Sequence, residues 1–280
     1  MYKKFCKTKA GVVLMNYLDL SKIVQDIRRN ILYMNNRGRA SHTGSALSIV
    51  ELLVVLYFKI LRIDPENPYK PDRDRFILSK AHASAALYAV LAKRGFFSEK
   101  WLEKFHIDGG ILPGHLDKTS APGIEVSAGS LGHGLSIGIG MALASKLDKS
   151  DYKVYVLCGD GEVNEGSIWE GILFAGAKKL DNLTLIIDYN KWQAYGRTDE
   201  VINLEPLFLK FKSFNWYPVE IDGHSLEEIE DALNLKVSRP KAIIAHTIKG
   251  KGISFMEDRL EWHYKSPNEE ELKRALEELK

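Results

Sequence analysis

Cysteine is nearly absent from this chain: Cys6 and Cys158 are its two cysteines in 280 residues. Two thiols make no disulfide framework, and neither has a Cys or His neighbour at zinc-ligand spacing. Both read as free thiols of a reducing cytoplasm, Cys158 at the end of a buried strand. A run of about 18 apolar residues, the length that crosses a bilayer, is also lacking, so no membrane partner is expected. Charge of one sign is lacking too. The net charge is +2 and spread along the chain, which gives no electrostatic footprint for nucleic acid. Lys3, Lys4, Lys7 and Lys9 precede only Val12 to Met15, an apolar stretch too short for a signal-peptide core. Residues 1–16 are expected to form a disordered extension, with Met15 a candidate start. Internal repeats and flexible linkers are absent as well.

What is present is ordinary globular composition, 45% hydrophobic and 27% charged, enough for one large α/β domain or two small ones. Ile23, Val24, Ile27, Ile31 and Met34 recur at helical spacing and predict a helix over about 20–35. Further helices are expected over 48–61, 83–94, 136–147, 165–179, 206–214 and 226–235. In the 165–179 helix, Ile168, Trp169, Ile172, Leu173 and Ala175 form the apolar stripe. Short β-rich runs predict strands over 75–78, 154–157, 183–187, 216–221 and 241–248. Residues 268–280 read as a surface helix after Ser266-Pro267, belonging to the same domain as 17–267. Strands alternate with helices, which predicts a doubly wound, mainly parallel α/β sheet flanked by helices.

Two groups in this frame carry chemistry. Gly159-Asp160-Gly161-Glu162 follows one predicted strand, and Asp188-Tyr189-Asn190-Lys191 follows the next. A right-handed crossover makes those strands parallel, with both carboxyl ends on the edge where open α/β sheets bind ligands. Asp160 offers a carboxylate oxygen and Asn190 an amide oxygen, both hard ligands suited to Mg2+. Gly159 and Gly161 let the backbone approach a diphosphate. Gly-Asp-Gly alone is a common turn; the Asn at the end of the next strand is what raises it above one.

Histidine forms the second pattern. His42, His82, His115, His133 and His263 all lie in loops or at strand ends beside small residues. One such His is more often structural. Five suggest a cleft that handles protons, hydroxyls and phosphates near neutral pH. Lys249 follows the last strand on the same edge. Residues 109–134 form a long Gly-rich loop, and such loops inside a compact domain are usually functional.

These residues together resemble the transketolase family of thiamine-diphosphate enzymes. The resemblance is carried by Gly159-Asp160-Gly161 with Asn190, by Ser41-His42-Thr43-Gly44, by Leu78-Ser79-Lys80-Ala81-His82-Ala83-Ser84, by Pro113-Gly114-His115, and by Ala128-Gly129-Ser130-Leu131-Gly132-His133-Gly134. It runs from about 20 to 267. Two departures are Tyr189 before Asn190, where a second Asn is usual, and His133, where Gln is more usual.

The resemblance implies a cofactor, thiamine diphosphate, with Mg2+ that Ca2+ or Mn2+ can replace. It implies that Asp160, Asn190 and the carbonyl of Trp192 bind the metal. Gly159, Gly161, Glu162, His82 and Lys249 would lie at the diphosphate, and Gly129, Ser130 and Leu131 at the aminopyrimidine. His42, His82, His115 and His263 would act on the substrate. Glu165 would join a carboxylate network at a subunit interface, beside the cofactor. A full transketolase is more than twice as long, with a second cofactor domain that carries the Glu activating the pyrimidine. The chain therefore resembles the N-terminal subunit of a split enzyme. The implied activity is transfer of a two-carbon ketol unit between sugar phosphates in the cytoplasmic pentose phosphate pathway. A separate C-terminal subunit would be required, in an α2β2 heterotetramer. A 1-deoxyxylulose-phosphate-synthase-like or 2-oxo-acid-dehydrogenase-like subunit, or a non-catalytic cofactor-binding module, are the alternatives.

Overall fold

The alternation of apolar residues along each strand sets the architecture, because each buried strand must cover two faces at once. In the strand 154–159, Val154, Val156 and Cys158 join one core while Tyr155 and Leu157 join the other. The same split recurs over 183–189 and 241–246. The sheet is thus the middle of three layers. A computed structural model describes residues 16–280; the expected N-terminal extension before residue 16 and Cys6 lie outside them. Asn16 is not part of an extension, since its side chain accepts from the Asp19 amide and caps the first helix.

In chain order the elements are α1 (Tyr17–Gly38), α2 (Thr43–Leu47), α3 (Val50–Val55) running into a π-helical turn (Leu56–Ile60), β1 (Arg75–Leu78), α4 (Ser84–Arg94), α5 (Gly134–Leu147), β2 (Val154–Gly159), α6 (Gly166–Ala177), β3 (Leu183–Tyr189), α7 (Thr198–Val201), α8 (Leu207–Ser213), β4 (Tyr217–Asp222), α9 (Leu226–Asn234), β5 (Lys241–His246) and α10 (Glu269–Glu278). The strands pair in the order β1-β2-β3-β5-β4, all parallel. One core holds residues of α1, α3, α4, α9 and α10, the other those of α5, α6 and α8. The helix after Ser266-Pro267 lays Leu272 and Ala275 inward, on the core that α1 also covers.

Three expectations change. The single helix over 48–61 is two, because the Ser48 hydroxyl bonds the Ser45 carbonyl and Asp188 where the helix would continue. The last strand ends at His246, since Thr247 turns its hydroxyl onto Asp188. Leu173 faces outward with Phe174 on α6, whose core face is Ile168, Ile172 and Ala175. The stripe expected from sequence is one residue too wide, because apolar residues on the outer face share the helical period.

Candidate active site

Parallel pairing brings Gly159 opposite Asp188, so the turns after β2 and β3 meet at the carboxyl edge of the sheet. Asp160, the first residue past β2, is buried, as is Asn190, the first past β3. The Asp160 carboxylate accepts from the amides of Gly161 and Lys191, both at 2.8 Å, and from the Thr198 hydroxyl at 2.7 Å. Burial pushes its pKa up to about 6. The Asn190 amide nitrogen donates to Asp188 at 2.8 Å, which fixes the flip and leaves the amide oxygen on the other side, where it accepts from the Trp192 amide at 3.0 Å. Among the described residues no three His, Cys, Asp or Glu side chains gather as a metal site. The expected set is of another kind: one carboxylate, one amide oxygen and one main-chain carbonyl, all hard oxygen donors. These residues fit a divalent cation, whose charge would offset the burial of Asp160. A diphosphate fits beside it. A side chain at Gly161 would close to 3.0 Å on Gln193, whose amide nitrogen is buried without a partner.

The histidines meet a few residues away. The His42 ring lies 5.1 Å from His82, 5.9 Å from His115 and 5.0 Å from His263, and His82 lies 5.7 Å from His263. They come from four separate segments. His42 caps α2 with φ 69°, a left-handed conformation that His tolerates better than most residues, and its amide donates to the His263 carbonyl at 2.9 Å. His82 follows β1. His115 sits in the long loop, and His263 ends a short 3-10 turn over Leu260–His263. Burial first, and neighbouring positive groups second, push His42 down to about 4 and His263 down to about 3, and hold His82 well below its ordinary value. All three are neutral imidazoles at pH 7, able to take or give a proton. His133 stands apart: it is exposed ahead of α5 and touches none of the four rings, so the pattern of five is a cluster of four.

Lys249 supplies the charge. Its ammonium lies 2.9 Å from His263 Nδ1. Burial pushes its pKa down to about 8, which still leaves it mainly protonated at pH 7. The stem passes Gly44, where a Cβ would stand 2.9 Å from Lys249 Cγ, so the Gly of Ser41-His42-Thr43-Gly44 leaves room for it. A buried cation among neutral imidazoles is an environment for a phosphate.

The remaining expected residues are placed as follows. Gly129 and Ser130 are exposed and Leu131 half-buried, and the Gly129 position lies 3.8 Å from the His115 ring. Glu162 is buried, its oxygens accepting from Ser79 and from the amides of Gly132 and Gly159, so it braces the Gly-rich loop against β1 and β2. Glu165 is exposed at the start of α6. Trp192 is half-buried; its indole donates to Asp258 at 2.7 Å, and Arg197 stacks on it 4.3 Å from the ring centre.

Asp188 and Lys80 are residues to which the sequence pattern assigned no role. Asp188 is fully buried and accepts from Lys80 at 2.5 Å, Ser48 and Asn190 at 2.8 Å, and Thr247. Lys80 also donates to the Ser45 carbonyl at 3.1 Å. One anchor thus joins the ends of β1, β3 and β5 with the loop before α3. The available signal was a charged residue inside each of two apolar strand ends, Ser79-Lys80 and Ile187-Asp188.

Comparison with known proteins gives one consistent picture. The model of the family described as "Transketolase, thiamine diphosphate binding domain" matches residues 20–279. One of the two subunits of an apulose-4-phosphate transketolase from Actinobacillus succinogenes is 43% identical over 269 residues, 95% of this chain and 98% of that protein. A 6-deoxy-6-sulfo-D-fructose transketolase subunit from a Clostridium species is 43% identical over 265 residues, 94% of this chain and 96% of that one. Human transketolase is 39% identical over 243 residues, but these cover only 38% of its length. The crystal structure of a Campylobacter jejuni transketolase superposes with a TM-score of 0.90 at 33% identity, covering 95% of this chain and 43% of that one.

Proposed function

The chain belongs to the transketolase family, as its thiamine-diphosphate-binding domain, and on that premise we propose that it is the N-terminal subunit of a two-chain transketolase. It would move a two-carbon ketol unit from a ketose phosphate to an aldose phosphate, and would act only with a C-terminal partner chain. The observation that carries this reading is the meeting, on one sheet edge, of the Asp160–Asn190 oxygen set with four histidine rings and Lys249.

The roles proposed for the residues follow from their surroundings. Asp160, the Asn190 amide oxygen and the Trp192 carbonyl would hold Mg2+, and Gly159, Gly161, His82 and Lys249 would line the diphosphate. When bound, thiamine diphosphate supplies the carbanion chemistry that breaks and remakes the bond between C2 and C3 of the sugar. The protein's share is placement and proton transfer. Neutral His42 and His263, at ring distances of hydrogen-bonding neighbours, would exchange protons with the sugar hydroxyls and the carbonyl oxygen. His115, exposed beside Gly129, would meet the outer part of the substrate. Glu162 would hold the Gly129–Leu131 loop against the pyrimidine, and exposed Glu165 would meet another subunit.

The naming of relatives as subunits supports the need for a partner, and the share of the human enzyme that this chain spans agrees with it. The same proposal includes an α2β2 assembly, a cytoplasmic location and a place in the pentose phosphate interconversions. Two relatives are named for two different ketoses, so the donor sugar is assigned only as a class, a phosphorylated or similarly anionic ketose. The test is ketol transfer from xylulose 5-phosphate to ribose 5-phosphate, with the chain alone and with its partner. Turnover is expected only in the mixture, and is expected to fall by at least about 100-fold for Asp160→Ala, which removes a metal ligand. Full turnover by the lone chain would overturn the two-chain reading.

A further inference from the structure

Arg28, Glu51 and His224 form a buried polar chain to which the proposed function gives no role. His224 follows β4 in Asp222-Gly223-His224-Ser225. The Ile248 amide donates to its Nε2 at 2.8 Å. That nitrogen is therefore unprotonated, and the proton sits on Nδ1, which donates to Glu51 Oε2 at 3.3 Å. The other Glu51 oxygen accepts from Arg28 Nη2 at 2.6 Å. Arg28 Nε in turn donates to the Lys251 carbonyl at 2.9 Å. Arg28 and Glu51 are both buried, and burial alone would raise the Glu51 pKa; His224 and Arg28 outweigh it and hold the carboxyl below its ordinary value.

The two ends of this chain are what give it meaning. One end grips the backbone at Ile248 and the other at Lys251, so the residues between them, including Lys249, are strapped from below. Two other bonds bear on the same turn: the Gly250 amide donates to the Gly44 carbonyl at 3.0 Å, and the Asp258 amide to the Lys249 carbonyl at 2.9 Å. A side chain at Gly252 would stand 2.6 Å from Arg28 Nε, so a glycine there lets the guanidinium reach the turn. A buried ion pair gives little net stability, whereas it strongly favours one geometry of its partners over others.

We propose that His224, held by Glu51 and Arg28, is a positioning residue that sets where the Lys249 ammonium stands beside His263. The inference rests on the reading that Lys249 meets the cofactor's diphosphate. Four rotatable bonds separate that ammonium from the main chain, so its aim depends on a fixed backbone, and a misplacement of about 1 Å in a site can cost about 100-fold.

The experiment measures thiamine diphosphate binding by calorimetry, in Mg2+, to the complex of this chain with its partner. His224→Phe is expected to weaken binding by about 10-fold or more, the scale seen when supporting groups around a site are removed. On a Lys249→Met background the same change is expected to cost less than about 2-fold, because a residue acting through Lys249 has nothing left to position. His224→Gln keeps an acceptor for the Ile248 amide and should recover most of the affinity. Additive losses, or binding by His224→Phe equal to that of the unaltered complex, would overturn the proposal. Should His224→Phe not fold, Arg28→Lys retains the charge beside Glu51 but drops the bond to Lys251, and the same two backgrounds decide. Failure of the unaltered complex to bind cofactor would instead remove the reading on which the proposal stands.

Discussion

Asp188 shows how one side chain organises a site without facing it. It is fully buried, and four side chains from four segments converge on it. Its charge offsets that of Lys80, and its bond to Asn190 turns the amide oxygen toward Asp160's side of the turn. The histidines act oppositely, as groups kept neutral by burial. His42 and His263 have folded-state values of about 4 and about 3, below the ordinary value of about 6.5. The folded chain thus binds fewer protons than the unfolded chain between those values, and stability falls as pH falls through that window. The contribution is fully present above about pH 6.5; for His42 alone it amounts to about 3 kcal/mol, lost by about pH 4. Urea unfolding of the cofactor-free chain at pH 7.5 and pH 4.5 should show a smaller difference for His42→Gln than for the unaltered chain. An unchanged difference would mean that His42 is protonated in the fold.

At the scale of elements, the site depends on how closely α6 and its neighbours pack. A Cβ at Gly176, near the end of α6, would overlap the Phe214 carbonyl and stand 3.3 Å from Trp216, whose indole donates to the Ile172 carbonyl at 2.8 Å. Gly176→Ala should therefore destabilise the chain by about 1–3 kcal/mol, the usual effect of overpacking, read as a lower urea midpoint. A midpoint unchanged within error would show that the α6–α8 contact can give way. The Gly-rich loop is tied down differently. Glu162 accepts from the Gly132 amide, Ser167 donates to the Gly132 carbonyl at 3.0 Å, and the Gly134 amide donates to Ser79 at 3.1 Å. A stretch without periodicity is thus held by polar side chains of β1, the β2 turn and α6.

For the whole molecule, the site lies open on the edge where Gly129, Ser130, His115 and Glu165 are exposed. The outer face of α6 likewise exposes Leu173 and Phe174. An interface with the proposed partner on this side would cover both. Sedimentation of the mixture should give one species with the mass of two copies of each chain, and thiamine diphosphate with Mg2+ should shift the balance toward it. A stable one-to-one complex, unaffected by cofactor, would sink the α2β2 arrangement.

Much of the outcome was already legible in the chain. Hydrophobic period gave β1 to its residue limits and the other strands to within a few, because a parallel sheet buried on both faces leaves runs such as Leu183 to Ile187 no other place. Right-handed crossovers then required Asp160 and Asn190 to share an edge. Local pattern carries no information on which distant loops fold over that edge. That His42, His82, His115 and His263 make one cluster and His133 does not, that Glu162 faces inward, and that Lys80 pairs with Asp188 all depend on contacts between residues far apart in sequence. The residue types and their order followed from the sequence. Their distances, and the low pKa values that burial imposes on the imidazoles, arise only when the three layers close around them.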